Sequence, residues 1–299
     1  MKEKTRAFEA LFLFLAIIFI ISFFQNNKKT FSNQNSSNFF AQLLYSPALC
    51  SAPDSCIDIK REEKSLKPGA FPTQTQSGYC ISVPVLLYHH IQPQSEAVRK
   101  GQTSLSVDNG IFDRQMRYLL ENGYNAINAP TLINALLSHT PLPPKSILVT
   151  IDDGYKDAFV YAFPILQKYH ITANFMIATG LIGGSDNMNW DDINQLKQSG
   201  LAYFVGHTWS HYAVSNGSIG KIQYEIQTGK KQLEENTGQS VNIFAYPYGS
   251  FNNNAISTLQ GDGFAGAFST IPGFLQCDSF IMTLHRSHVG NAPLSSYGL

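Results

Sequence analysis

From Val83 to Val289 the chain alternates short apolar runs with stretches of helical period, the pattern of repeated strand–helix units. The runs predict strands at Val83–Tyr88, Ile147–Ile151, Ala173–Ala178, Leu201–Gly206, Val241–Tyr246, Phe264–Phe268 and Ile281–Val289. Between them, apolar residues recur at spacings of three and four. Phe112, Met116, Leu119 and Leu120 define one helical face, closed by Asn122-Gly123. Phe159, Phe163 and Leu166 define a second, in which Pro164 must kink or shorten the helix. Ile219, Ile222, Ile226 and Leu233 define a third, whose opposite side (Lys230, Lys231, Glu234, Glu235) is a solvated face of mixed sign. The fold class is therefore α/β with about seven strands. Periodicity alone leaves a closed barrel and an open doubly wound sheet equally admissible. In both, ligands gather beyond the carboxyl ends of the strands.

The pattern changes ahead of Val83. Lys2, Lys4 and Arg6 precede an uncharged run from Ala10 to Phe24, and Lys28 and Lys29 follow it. The run is shorter than the ~20 residues of a membrane span, so a signal peptide and an uncleaved anchor are both open. No small-x-small cleavage pattern follows Phe24, which favours an anchor, and the leading basic residues favour export of everything beyond it. Asn, Ser, Gln and Pro then dominate Asn26–Asn38, Phe39–Leu44 is a short apolar patch and Lys60–Lys67 a charged run, so most of this stretch reads as a flexible spacer. The expected division is residues 1–24 as signal peptide or membrane anchor, 25–80 as spacer and 81–299 as the folded domain. A monomer, secreted or anchored at the cell surface or in the periplasm, is expected.

The 21 basic and 21 acidic residues cancel, so no global field attracts nucleic acid, and a neutral polar substrate fits better. Aromatic residues make up 12% of the chain, which an ordinary core accounts for. Four cysteines, Cys50, Cys56, Cys80 and Cys277, follow the export signal and permit disulfides. Of the three pairings, Cys50 with Cys56 and Cys80 with Cys277 is preferred, the second stapling the start of the domain to its end.

Chemistry concentrates at strand ends. Ile147–Ile151 breaks on Asp152-Asp153-Gly154, two adjacent carboxylates that repel each other unless a cation joins them. Leu201–Gly206 runs into His207-Thr208-Trp209-Ser210-His211, where histidines at i and i+4 are expected on one face of a helical turn. With Asp153 they make a two-histidine, one-carboxylate set that leaves coordination positions open, the mark of a catalytic metal. Tyr246-Pro247-Tyr248-Gly249 ends a third strand with a turn able to offer a backbone N–H to an oxyanion. In the last predicted strand, alternation puts Leu284, Arg286 and His288 on one face and His285 on the other. His89 and His90 end the first strand, within reach of the metal side or in turn packing. Trp190, Asp191 and Asp192 fit a helix start, His139 and His170 surface positions beside helix ends, and Gly180–Asn189 a loop bordering a sugar groove.

Thr150-Ile151-Asp152-Asp153-Gly154, the His207–His211 segment and Tyr246-Pro247-Tyr248-Gly249, in this order, resemble the successive motifs of the polysaccharide deacetylases, carbohydrate esterase family 4. Val85–Ile91 and Phe244–Gly249 look most like the branch that deacetylates the β-1,6-linked N-acetylglucosamine polymer of biofilms. The resemblance covers roughly Val83 to Val289. It implies a distorted (β/α) barrel with a divalent metal, often zinc, held by Asp153, His207 and His211. It also implies Asp152 as general base, Tyr248 as backbone oxyanion donor, and hydrolysis of an N-acetyl group with release of acetate.

Two positions depart from the family pattern. Many members carry an arginine three residues before the motif tyrosine, where this chain has Ala245, so the partner of Asp152 is left open. The usual closing Leu-x-His has Arg286 at its last position, and arginine cannot cycle a proton. His288 is therefore taken as the general acid on facing grounds, with His285 the alternative. Competing readings are a peptidoglycan or chitin-oligosaccharide deacetylase, a hydrolase of sugar acetyl esters, and an inactive cell-surface glycan-binding protein.

Overall fold

The structure, a computed structural model, describes residues 78–299. The leading apolar run, the spacer and the pair Cys50 and Cys56 lie outside the described residues. No helix among the described residues is long and apolar enough to cross a membrane.

Seven strands form the main sheet: β1 (Val85–Tyr88), β2 (Ser146–Asp152), β3 (Ala173–Ile177), β4 (Ala202–Gly206), β5 (Ile243–Ala245), β6 (Gly266–Phe268) and β7 (Ser287–His288). They lie in the order β6-β5-β4-β3-β2-β1-β7, every neighbouring pair parallel, as a half-barrel with β2 near its middle. All seven residues of β2 are buried, which is why it reads as an unbroken apolar run rather than an alternating one. Leu284 bridges Phe268 of β6 in parallel, with Ser269 N donating to Leu284 O at 2.8 Å and Leu284 N to Ala267 O at 2.8 Å. One stretch, Leu284–His288, thus touches both edges of the sheet.

The two-residue period of the strands sorts side chains into two cores. Val85, Leu148, Met176, Val205, Ile243 and Leu284 pack together inside the curve of the sheet. Leu86, Val149, Phe175, Phe204 and Phe244 pack outward against the helices. Continuing the inner register past the strand ends leads from Leu148 through Thr150 to Asp152, from Val205 to His207, from Val85 through Leu87 to His89, and from Leu284 through Arg286 to His288. One end of the inner core therefore changes from aliphatic to ionisable within two residues on several strands at once.

Helices α1 (Gln94–Lys100), α2 (Asn109–Glu121), α3 (Ala129–Ser138), α4 (Phe163–Tyr169), α5 (Trp190–Gln198), α6 (Ile219–Thr237) and α7 (Asn253–Gly261) cover the sheet. Asp108 caps α2 by accepting from Gly110 N and Ile111 N, and Asn122 ends it. Asn189 and Asp192 form a capping box on α5, in agreement with a capping role for the Trp190-Asp191-Asp192 start. His139 and His170 stand as left-handed C-caps of α3 and α4.

Several expectations need correction. Leu120 of α2 and Ile219 of α6 are exposed, so both apolar faces are one residue narrower than the spacing suggests. Pro164 shortens the second helix as expected: α4 starts only at Phe163, with the proline in its first turn, and a wide π turn over Ala158–Ala162 precedes it. Ile281–Val289 is not one strand: Asp278–Thr283 is 3-10 turns, and only Ser287–His288 pairs with β1. The Cys80–Cys277 disulfide is present, joining two short antiparallel strands, Cys80–Ser82 and Leu275–Cys277.

Candidate active site

Two strand ends deliver the candidate metal-ligating set, Asp153 after β2 and both His207 and His211 after β4. Asp153 follows β2 in a left-handed conformation (φ 73°), which turns its carboxylate back over the sheet end. One of its oxygens lies 3.2 Å from His207 Nε2 and 3.1 Å from His211 Nε2. The three ligand atoms all fall within 4.8 Å of one another. His207 Nδ1 is 2.7 Å from the Ala245 carbonyl on β5 and donates to it, which fixes the tautomer and leaves Nε2 bare toward Asp153. That Asp153 oxygen, Oδ1, is buried and has no hydrogen-bond partner among the described residues. A buried acceptor facing two bare imidazole nitrogens costs free energy unless a shared cation satisfies all three, so these residues fit a divalent metal.

The His207–His211 segment is not the expected helical turn. It is an irregular loop in which Thr208 (φ 65°) and His211 (φ 58°) both take left-handed conformations, and the imidazoles meet across the loop with ring centroids 5.0 Å apart. The i,i+4 spacing brings the rings together for a reason other than helical periodicity.

Asp152, 2% exposed, receives a two-pronged bond from Arg286: Nη1 donates to Oδ1 at 2.7 Å and Nη2 to Oδ2 at 2.9 Å. Arg286 is fully buried, and its Nε donates to the Ser269 carbonyl at 2.9 Å. The missing arginine at Ala245 is thus made good from a different strand. Arg286, which cannot cycle a proton, is instead the cation that orients Asp152, and the signal for it in the sequence is its place on the inner face opposite an acid that lacks a partner.

Tyr248 follows β5 with φ 59° and ψ 10°, its ring 70% exposed and edge-on to His211 with centroids 4.5 Å apart. Gly249 continues the left-handed turn (φ 66°), and a Cβ there would collide with Thr270, so only glycine closes this turn beside the site.

His288 is exposed at the end of β7 and stacks on half-buried His89, with ring centroids 5.7 Å apart and planes 6° apart. Burial pushes both imidazoles below their ordinary value. His89 also feels the charges of Asp152 and Asp153, whereas of the two acids only Asp152 acts on His288. His285 turns away and stacks on Phe280. His90 points to the outer face, where its Nδ1 lies 2.6 Å from Asp157. The loop at Gly180–Asn189 backs onto the site: Asn187 donates to the Asp153 carbonyl at 3.3 Å, and Met188 N to Gly154 O at 2.9 Å.

A curved parallel α/β sheet with a carboxylate–imidazole cluster and an oriented second carboxylate at its carboxyl edge defines the class, a hydrolytic domain with a candidate metal centre. Comparison with known proteins makes this specific. The polysaccharide deacetylase family model matches residues 139–267. Bacillus subtilis (strain 168) YxkH is 27% identical over 208 residues, covering 69% of this chain and 71% of that protein. The poly-β-1,6-N-acetyl-D-glucosamine N-deacetylase of Escherichia coli (strain K12) is 23% identical over 248 residues, covering 69% of this chain but 36% of its own length. Among solved structures, the Streptococcus pyogenes deacetylase PplD in complex with acetate is 25% identical with a TM-score of 0.67, covering 71% of this chain and 93% of that one. Over residues 139–267 the folded domain is similar to the polysaccharide deacetylases, which are hydrolases.

Proposed function

We propose that this chain removes N-acetyl groups from an N-acetylglucosamine polysaccharide, a β-1,6-linked exopolysaccharide of the kind that biofilms contain, and releases acetate. The convergence of Asp153, His207 and His211 on one point, with Asp152 beside it, is the observation that carries the reading. The similarity to the Escherichia coli enzyme supports the linkage. The export segment and spacer expected at residues 1–80 agree with a substrate outside the cytoplasm.

Asp153, His207 and His211 would hold a divalent ion, zinc being the natural choice for two imidazoles and one carboxylate. Such an ion, when bound, supplies Lewis acidity to the substrate carbonyl and acidifies water. Asp152, aimed by the Arg286 fork, takes the proton from the attacking water. The backbone N–H of Tyr248, in the left-handed turn closed by Gly249, faces the oxyanion of the tetrahedral adduct. The departing amine needs a proton, and the stacked pair on the inner register, His288 with His89, supplies it: His288 from the open side, His89 from beside the two carboxylates.

The test is acetate release from defined β-1,6- and β-1,4-linked N-acetylglucosamine oligomers, with products read by mass, before and after chelation. Turnover of the β-1,6 series that chelation abolishes and zinc restores is expected. Equal turnover of both series would refute the linkage, and glycan binding by metal-loaded protein without acetate release would refute the activity.

A further inference from the structure

Glu225 is a fully buried carboxylate in the middle of α6 to which the proposed chemistry gives no part. Both its oxygens are spent on one residue of the metal-ligand loop. Ser210 N donates to Oε2 at 2.8 Å and Ser210 Oγ to Oε1 at 2.8 Å, while Lys221 Nζ neutralises the group from 2.7 Å. The Glu225 carbonyl accepts from Trp209 N at 2.9 Å. One turn further along, a Cβ on Gly229 would come within 2.8 Å of the Thr208 carbonyl carbon and oxygen. Thr208, Trp209 and Ser210 therefore lean in succession on the 225–229 face of α6.

The two imidazoles depend on this face unequally. His207 directly follows β4 and is fixed independently by its bond to Ala245. His211 ends the loop, and the stretch leading to it holds two non-glycine residues at positive φ, Thr208 and His211 itself, a conformation that persists only where the surroundings impose it. Thr179 N and Gly180 N donate to the Thr208 and Trp209 carbonyls from the other side, but these contacts stop before Ser210. On the other side of His211, Tyr212 N donates to Thr208 Oγ1 at 3.0 Å, within the loop itself, so Glu225 is the hold that ties the residue before His211 to a separate element.

We propose that Glu225, with Gly229 as its spacer, is the positioning residue for the second metal-ligating imidazole: it holds the loop so that His211 Nε2 meets Asp153. The inference rests on the metal-site reading above. Through a buried bond outside the coordination sphere, α6 sets how tightly the site grips its ion.

The full chain is tested as wild type, Glu225→Ala, Glu225→Gln and Gly229→Ala. Zn²⁺ affinity is measured by chelator competition, Co²⁺-loaded absorption spectra are recorded, and the melting temperature of each metal-free protein is taken. Glu225→Ala is expected to weaken Zn²⁺ binding about 10–100-fold, the range for lost outer-shell partners, and to change the Co²⁺ spectrum. Glu225→Gln should return both close to wild type, because an amide can accept from Ser210 N while donating to its hydroxyl. Gly229→Ala removes no polar group, yet it displaces the Thr208 backbone; it should weaken Zn²⁺ binding and lower the metal-free melting temperature less than Glu225→Ala does. Wild-type affinity and spectrum in Glu225→Ala and Gly229→Ala would overturn the inference while leaving the metal site standing. If Glu225→Ala fails to fold, Gly229→Ala decides. Absence of Zn²⁺ binding by the wild type would overturn the metal-site reading and this inference together.

Discussion

Replacing Arg286 by methionine removes a fully buried guanidinium from a carboxylate that is itself 2% exposed. The loss is larger than one ion pair. Asp152 forfeits both bonds, at 2.7 and 2.9 Å, and the Ser269 carbonyl forfeits its bond from Nε at 2.9 Å. Breaking a buried pair from one side costs about 3–5 kcal/mol, most of it the penalty of stranding the remaining charge. At this size about 3 kcal/mol corresponds to a fall in melting temperature of roughly 6–12 °C. Asp152→Asn should do comparable damage by stranding Arg286. Combining the two changes removes the stranded charge, so the double variant should be no less stable than either single one, with a coupling energy of at least about 3 kcal/mol. The assay is urea unfolding of the four proteins, metal-free, at neutral pH. Arg286→Lys adds a catalytic readout: it keeps the charge without the planar fork, and turnover should fall at least about ten-fold because Asp152 is no longer aimed. Strictly additive single costs, or full turnover in Arg286→Lys, would refute the orienting role of this arginine.

Asp152→Asn should abolish acetate release yet retain bound metal, whereas His211→Ala should lose both; equal metal content in His211→Ala and wild type would refute the ligand assignment. Chelation should lower the melting temperature reversibly, since free ion at about a hundred times its Kd stabilises by about 2.7 kcal/mol; an unchanged melting curve would argue against a tight site. Burial holds His89 below its ordinary value, against the pull of Asp152 and Asp153. The folded state therefore binds fewer protons there than the unfolded one, and this part of the stability is present above about pH 6.5 and lost as pH falls through the lowered value. His89→Gln should flatten the fall in stability between about pH 6.5 and 5, and equal slopes would exclude the effect. Opening the Cys80–Cys277 bridge by double serine substitution should cost about 2–5 kcal/mol in urea unfolding, because it frees a loop of nearly the whole domain, with a sequence separation of 197.

What the sequence disclosed follows from the range of the interactions involved. The central strand is legible because both its faces are buried, which leaves a continuous apolar run ending on Asp152. Asp153, His207 and His211 are legible because strand ends in one parallel sheet open in the same direction, so polar motifs after different strands meet. The shape of the His207–His211 loop is not legible, because contacts with α6, a separate element, impose its left-handed residues. The role of Arg286 is not legible for a related reason. Its partner is 134 residues away in sequence, and only the curl that brings β7 beside β1 reveals it. Leu120 and Ile219 look like core residues because helical spacing fixes a direction but not how far the neighbouring element extends.

The stretch from Leu284 to His288 has a consequence for how the protein is born. A chain emerging amino end first can lay down β1 to β6 while the sheet still has two raw edges and Asp152 has no counter-charge. Both deficits end together when this late stretch docks, joining β6 to β1 and delivering the guanidinium in one movement. Closure of the sheet and pairing of Asp152 therefore depend on the same five residues.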